Sequence, residues 1–170
     1  YRNIKMIFQE PRSSFDPRLK LGESICEALK SVMPDKKARR EEAGRLLCSV
    51  SLDESFLGLY PGQVSGGECQ RAAIARALAQ TPKLLICDEA TSALDVSVQA
   101  QIIALLNEIR QNQQLSILFI SHDLALVSSF CDRLYVLYKG RVVEEGETAQ
   151  VIQNPRQPYT KKLIDSVLSV

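Results

Sequence analysis

Leu84-Leu-Ile-Cys-Asp-Glu89 decides the fold: four apolar residues in succession, then two carboxylates. Such a run has no polar face to turn toward water, so it reads as a strand covered on both sides, as in parallel sheets. Pro82, just upstream, stops an alanine-rich helix that begins near Ser65 and is expected to run as far as Thr81, because proline has no amide hydrogen to give and its ring clashes with the preceding turn. Downstream, Val98, Ile102, Leu105, Leu106 and Ile109 recur at helical spacing, and Leu115 to Ile120 forms a second apolar strand. The order strand, helix, strand predicts an α/β sheet in the middle of the chain.

Toward the N-terminus, Ile4 to Phe8 is a short β-prone run ending at Gln9, and Glu10 to Pro17, with two prolines, reads as a surface loop. Ile25, Ala28, Leu29 and Val32 make one amphipathic stripe; after Pro34-Asp35, Ala43, Leu46, Leu47 and Val50 make another. These predict a small helical subregion, with Lys36 to Glu42 as a solvated face. Toward the C-terminus, Leu134 to Tyr138 and Arg141 to Val143, joined by Lys139-Gly140, resemble a β-hairpin. Two short helical patterns parted by Asn154-Pro155 fill the tail from Glu147. There is no internal repeat and no low-complexity segment.

The chain has 170 residues, 45% of them apolar, with 21 basic against 20 acidic side chains. That is enough for one domain with a core. The charge balance leaves no field to draw the whole chain to nucleic acid or an anionic membrane, and no nucleic-acid partner is expected. Five scattered cysteines without a C-x-x-C pair read as reduced thiols serving as small apolar residues. No apolar run approaches the roughly 18 to 20 residues that cross a bilayer, and no secretory signal opens the chain. Its first residue, Tyr1, already reads as part of a strand, which suggests a piece of a longer chain.

Asp88 and Glu89 emerge where open α/β sheets place their ligands, at the carboxyl end of a buried strand. By position this is a site for Mg²⁺ and water: one carboxylate can hold magnesium through its water shell, and the next can orient a water for attack on phosphorus. Val64-Ser-Gly-Gly-Glu-Cys-Gln-Arg71 puts a serine and two glycines where a helix begins, a seat for a phosphate. The matching cradle, G-x-x-x-x-G-K-[ST], does not occur in these residues. His122, the chain's single histidine, lies in Ile120-Ser-His-Asp123 at the end of the second strand. From there an imidazole can hydrogen-bond a terminal phosphate and hold an attacking water.

Together these motifs resemble the ATP-binding-cassette ATPases. Val64 to Arg71 is similar to their signature, usually Leu-Ser-Gly-Gly-Gln, with valine and Glu68 as departures. Leu84 to Glu89 resembles their Walker B strand, Ser92-Ala-Leu-Asp95 their D-loop, His122 their switch histidine and Gln9 their Q-loop glutamine, all in the family's order. The resemblance implies a P-loop NTPase-like core with a parallel sheet, a small helical subdomain and a missing N-terminal part. It divides residues 1–170 into a Q-loop and helical signature region (about 10–80), a Walker B to H-loop core (81–146) and a tail (147–170). It also implies that Ser65, Gly66, Gly67, Glu68 and Asp95 serve ATP held by a second ATPase subunit, identical or paralogous. Gln9, Asp88, Glu89 and His122 would serve ATP and Mg²⁺ in their own subunit, with Asp88 and Gln9 toward the metal and Glu89, His122 and Gln9 in catalysis.

Ile7-Phe-Gln-Glu-Pro-Arg-Ser-Ser-Phe-Asp-Pro-Arg18 and Asn154-Pro-Arg-Gln-Pro-Tyr-Thr-Lys-Lys-Leu163 resemble the peptide and nickel import branch, with Gln157 where a histidine is usual. The implied function is an energy-coupling ATPase at the cytoplasmic face of the cell membrane, docked on integral permease subunits through residues of about 10 to 34. The alternatives are a non-transport cassette ATPase and a truncated cassette that acts only as a binding module. Lacking a phosphate cradle, the 170-residue chain alone is expected neither to bind ATP tightly nor to hydrolyse it. The strand and helix around a P-loop would be central to the sheet, so the flanks of Leu84 to Cys87 or Leu115 to Ile120 are expected to be partly uncovered.

Overall fold

The three strands read from the sequence are present and parallel. In the computed structural model, which describes residues 3–168, β1 (Ile4–Ile7), β2 (Leu84–Asp88) and β3 (Ser116–Ile120) make a sheet in the order β1-β2-β3. Ile7 lies opposite Cys87, and Asp88 opposite Ile120. The pleat sends Ile7, Leu85 and Cys87 to one face, where all three are buried. On the other face Met6, Leu118 and Ile120 are 39%, 47% and 44% exposed. The uncovered flank crosses β2 and β3: Leu84 and Ile86 are half-buried while Leu85 and Cys87 are fully buried, and burial alternates along β3 as well, so the sheet is not covered on both sides as the apolar runs suggest.

Between β1 and β2 lies the helical region: α1 (Leu21–Leu29), α2 (Lys36–Ser49), 3₁₀ turns at Glu54–Gly58 and Pro61–Gln63, and α3 (Gly66–Leu78). Asp35 caps α2 by accepting the Ala38 amide at 2.6 Å, which satisfies one of the amides a helix start leaves open. Leu21, Ile25, Leu47 and Ile74 are wholly buried among these helices, each contributing about 1.5 to 3 kcal/mol of apolar transfer. Two helices end earlier than their patterns suggest. α1 stops at Leu29, leaving Val32 45% exposed, and α3 stops at Leu78, with Thr81 in the left-handed region at φ 45°. Pro82 disfavours the helical conformation only for Thr81, its predecessor, which already lies outside α3. After β2, α4 (Val96–Gln113) buries Ile102, Leu105, Leu106 and Ile109 as its stripe requires, and Ile103 as well.

These elements form a unit that runs to Ile120; a second begins at Ser121. The second unit opens with α5 (Leu124–Phe130), which the sequence pattern did not announce, capped by Asp123 through the Ala125 and Leu126 amides. The hairpin follows as β4 (Arg133–Tyr138) and β5 (Arg141–Glu147), antiparallel. Lys139 and Gly140 take φ values of 49° and 75°, the two positive angles that a tight turn between twisted strands requires. α6 (Thr148–Gln153) and α7 (Pro158–Leu168) complete the chain. Leu134, Val136 and Val151 form the core of this unit. The segment between α6 and α7 is fastened to the hairpin: Glu144 accepts the Arg156 and Gln157 amides at 2.8 and 3.0 Å, and the Tyr138 and Tyr159 rings lie 4.2 Å apart. Desolvation works against the Glu144 charge, but hydrogen bonds, those two amides among them, hold its carboxyl below the ordinary range.

Candidate functional site

Parallel pairing gathers the carboxyl ends of β1, β2 and β3 at one edge of the sheet, and three sequence-predicted residues are carried there. Gln9 leaves the sheet two residues beyond Ile7, the last paired residue of β1; Asp88 is the last residue of β2. Glu89 follows at φ 46°, a left-handed conformation that a residue with a Cβ adopts only when its surroundings fix it. Part of what fixes it is its own amide, which donates to the Ile120 carbonyl at 3.0 Å, and the turn beyond, in which the Ser92 amide and hydroxyl both donate to the Glu89 carbonyl. Both acidic side chains are half-buried. His122 comes two residues after Ile120, in the second unit, beside an Asp123 amide that donates to Ser121 Oγ.

The start of α3 is a reciprocal cap. Ser65 Oγ accepts the Glu68 amide at 3.3 Å, and Glu68 Oε2 accepts the Ser65 amide at 2.7 Å, so two of the open amides of the first turn are satisfied by side chains. The hydrogen bonds from Ser65, backbone first, hold the Glu68 carboxyl below its ordinary value. Ser65 Oγ thus accepts the Glu68 amide while the Ser65 hydroxyl also helps hold the Glu68 carboxylate. A helix of thirteen residues stands behind this turn with its positive end forward.

The turn from Ser92 to Asp95 connects these two places. Asp95 caps α4, accepting the Val98 amide at 3.0 Å and the Ser97 hydroxyl at 2.7 Å. Its carboxyl is held down first by the Ser97 hydroxyl and then by that amide. Its carboxylate is thus engaged within its own chain, a structural duty that the sequence reading did not assign.

Two arginines that the sequence reading passed over tie the segment after Gln9 to α3. Arg12 Nη2 donates to the carbonyl of Val64, the residue before the cap, at 2.6 Å. From the far end of the helix, Arg76 donates to Ser14 O at 2.6 Å and Ser14 Oγ at 3.0 Å, and its guanidinium lies 4.1 Å from the centre of the Phe15 ring. The available signal for Arg76 was a charge on a helix otherwise rich in alanine. Nearby, burial pushes the Cys69 thiol up to about 11, against the pull of Arg12 and Arg76, which keeps it an unreactive apolar filler as expected. Among the described residues no three His, Cys, Asp or Glu side chains converge as a metal cage, and no helix is long and apolar enough to cross a membrane.

A family model described as ABC transporter matches residues 1–92, more than half of the sequence. The chain belongs to the ABC transporter family. A second model, described as the C-terminal region of oligopeptide/dipeptide transporters, matches residues 143–170. The oligopeptide transport ATP-binding protein OppF of Escherichia coli (strain K12) is 45% identical over 97% of this chain and 50% of its own length. The dipeptide transport ATP-binding protein DppD of Haemophilus influenzae is 45% identical over 97% of the chain and 51% of its own length. The glutathione import ATP-binding protein GsiA of Pectobacterium atrosepticum is 46% identical over 98% and 27%. The chain thus spans about half the length of OppF and DppD. Among solved structures, the ATP-binding cassette MJ0796, as a dimer in a post-hydrolysis state bound to ADP and Pi, superposes with a TM-score of 0.73 at 30% identity over 86% of this chain and 64% of that one. The α/β, P-loop NTPase-like fold read from the sequence is the fold of this ABC chain.

Proposed function

We propose that the whole protein is the ATP-hydrolysing, energy-coupling subunit of an importer for peptides or nickel-like cargo. The observation that carries this reading is the gathering of Gln9, Asp88 and Glu89 at the carboxyl ends of parallel strands, in the same unit as the serine-capped start of α3. The names of OppF, DppD and GsiA, which specify oligopeptide, dipeptide and glutathione cargo, support the importer over a non-transport ATPase.

In this reading Glu89 orients the attacking water, His122 hydrogen-bonds the terminal phosphate, and Gln9 assists both water and metal. Asp88 and Gln9 would hold Mg²⁺: a half-buried carboxylate and an amide oxygen fit a hard cation that keeps most of its waters and shares substrate phosphates. When bound, the cation supplies neutralisation of phosphate charge. Ser65, Gly66, Gly67, Glu68 and Asp95 face the ATP of a second ATPase subunit; that MJ0796 was solved as a dimer supports the pairing of two such subunits. Permease subunits dock through residues of about 10 to 34, several of which line a groove of about 420 Å³ with Lys5, Arg76 and Gln80. The protein then works peripherally at the cytoplasmic face of the membrane. Residues of about 10–80, 81–146 and 147–170 act as the signature region, the catalytic core and the tail. The 170-residue chain alone is inactive in this reading, since its residues contain no G-x-x-x-x-G-K-[ST] to give ATP an amide nest with its lysine.

The test is Glu89→Gln in the whole protein. The amide keeps the shape and loses the charge, so ATP affinity should stay within about twofold while steady-state hydrolysis falls by about a hundredfold or more. Hydrolysis near the wild-type rate would remove Glu89 from the site and, with it, this reading.

A further inference from the structure

Gly67 is buried in the first turn of α3, and its backbone gives it no reason to be glycine. Among the described residues Gly140 is the only glycine with a positive φ, so alanine would suit Gly67's helical conformation and would favour the helix by up to about 1 kcal/mol. What excludes a side chain is α4. A Cβ on Gly67 would stand 2.5 Å from Val98 Cγ1, while Val98 Cβ and Cγ2 are 3.8 Å away. A single methyl group therefore occupies the space a Cβ would need. Val98 cannot easily swing away, because a β-branched side chain within a helix is held to one rotamer and its amide is pinned by Asp95 at 3.0 Å. The neighbouring Gly66 differs: a Cβ there would meet only Leu94 Cδ2, at 3.4 Å.

These contacts form a continuous rigid connection. The turn of Ser92 to Asp95 caps α4, the capped turn carries Val98, Val98 supports Gly67, and Gly67 lies two residues beyond the Ser65 cap. We propose that Val98 is a positioning residue for the phosphate seat, and that Gly67 serves the reaction by letting the start of α3 rest directly on it. This rests on the reading that the Ser65 turn engages a phosphate. It explains the missing side chain of the second glycine by packing toward the protein interior, and leaves its backbone to the phosphate.

The geometry supplies a size-swap test in the whole protein. Gly67→Ala introduces the forbidden methyl; Val98→Ala removes the methyl it meets and leaves Cβ at an ordinary 3.8 Å. Gly67→Ala should lower kcat for ATP hydrolysis by about ten- to a hundredfold, as a displacement of roughly 1 Å at a reacting centre does, with KM for ATP within about twofold, and it should lower the melting temperature. Adding Val98→Ala should restore both kcat and the melting temperature to near those of Val98→Ala alone. Full activity in Gly67→Ala would overturn the proposal. So would a double variant whose melting temperature recovers while kcat does not, since the added methyl would then be obstructing the ligand. If the wild-type protein proves to have no ATPase activity, the functional reading falls, and the melting temperatures of the four proteins still decide the contact: recovery in the double variant supports it and simple additivity refutes it.

Discussion

Replacing Arg76 with alanine removes the strongest tie between α3 and the segment that follows Gln9. Two hydrogen bonds are lost, to Ser14 O at 2.6 Å and Ser14 Oγ at 3.0 Å, together with the stacking of the guanidinium 4.1 Å from the Phe15 ring centre. Hydrogen bonds from a charged donor are each worth about 1.5 to 3 kcal/mol. The two share one side chain and overlap in effect, so together they count for about 2 kcal/mol. The cation over a ring buried to 3% exposure adds about 1 kcal/mol. The sum, about 3 kcal/mol, shifts the folding equilibrium on the order of a hundredfold. Arg76→Lys keeps the charge but lacks the fork that reaches two acceptors, and should lose about half as much. The assay is urea unfolding of the whole protein followed by circular dichroism, with Arg18→Ala as control. Arg18 pairs with Asp16 through an exposed side chain, so its removal should leave the midpoint unchanged. A loss below about 0.5 kcal/mol in Arg76→Ala would refute the idea that these contacts hold residues 12–15 to α3.

Ser65→Arg should abolish hydrolysis in the whole protein while leaving ATP affinity of the monomer within about twofold, because the phosphate it serves belongs to the other subunit; equal loss of monomer affinity would place Ser65 in its own site. The cap of α3 should depend on pH through Glu68. Its folded value lies below the unfolded one, so the stabilisation is present above about pH 4.3 and disappears as pH falls through the lowered folded value. The urea midpoint should therefore drop more steeply from pH 6 to pH 3 in the wild type than in Glu68→Gln, and parallel curves would show that the carboxylate does not carry the cap.

Elements governed by local chemistry were legible before any fold was known. The apolar run from Leu84 to Cys87, stopped by carboxylates, read as a strand, a serine and two glycines marked the start of a helix, and Lys139-Gly140 supplied the turn of a hairpin. Each follows from hydrogen-bonding capacity or periodicity within a few residues, and so did the positions of Gln9, Asp88 and Glu89 at strand ends. Residues whose duty depends on a distant partner stayed hidden. Arg12 bonds a carbonyl 52 positions away and Arg76 reaches back 62 positions to Ser14, separations over which no spacing rule operates. Gly67 read as part of a phosphate seat, and no residue near it in sequence announced that Val98 Cγ1 would stand 2.5 Å from its absent Cβ. Likewise, an apolar run does not say whether both of its faces are covered, which is why Leu118 and Ile120 remain open to water while Leu85 and Cys87 do not. Burial is a property of what lies opposite, and only the tertiary structure supplies that.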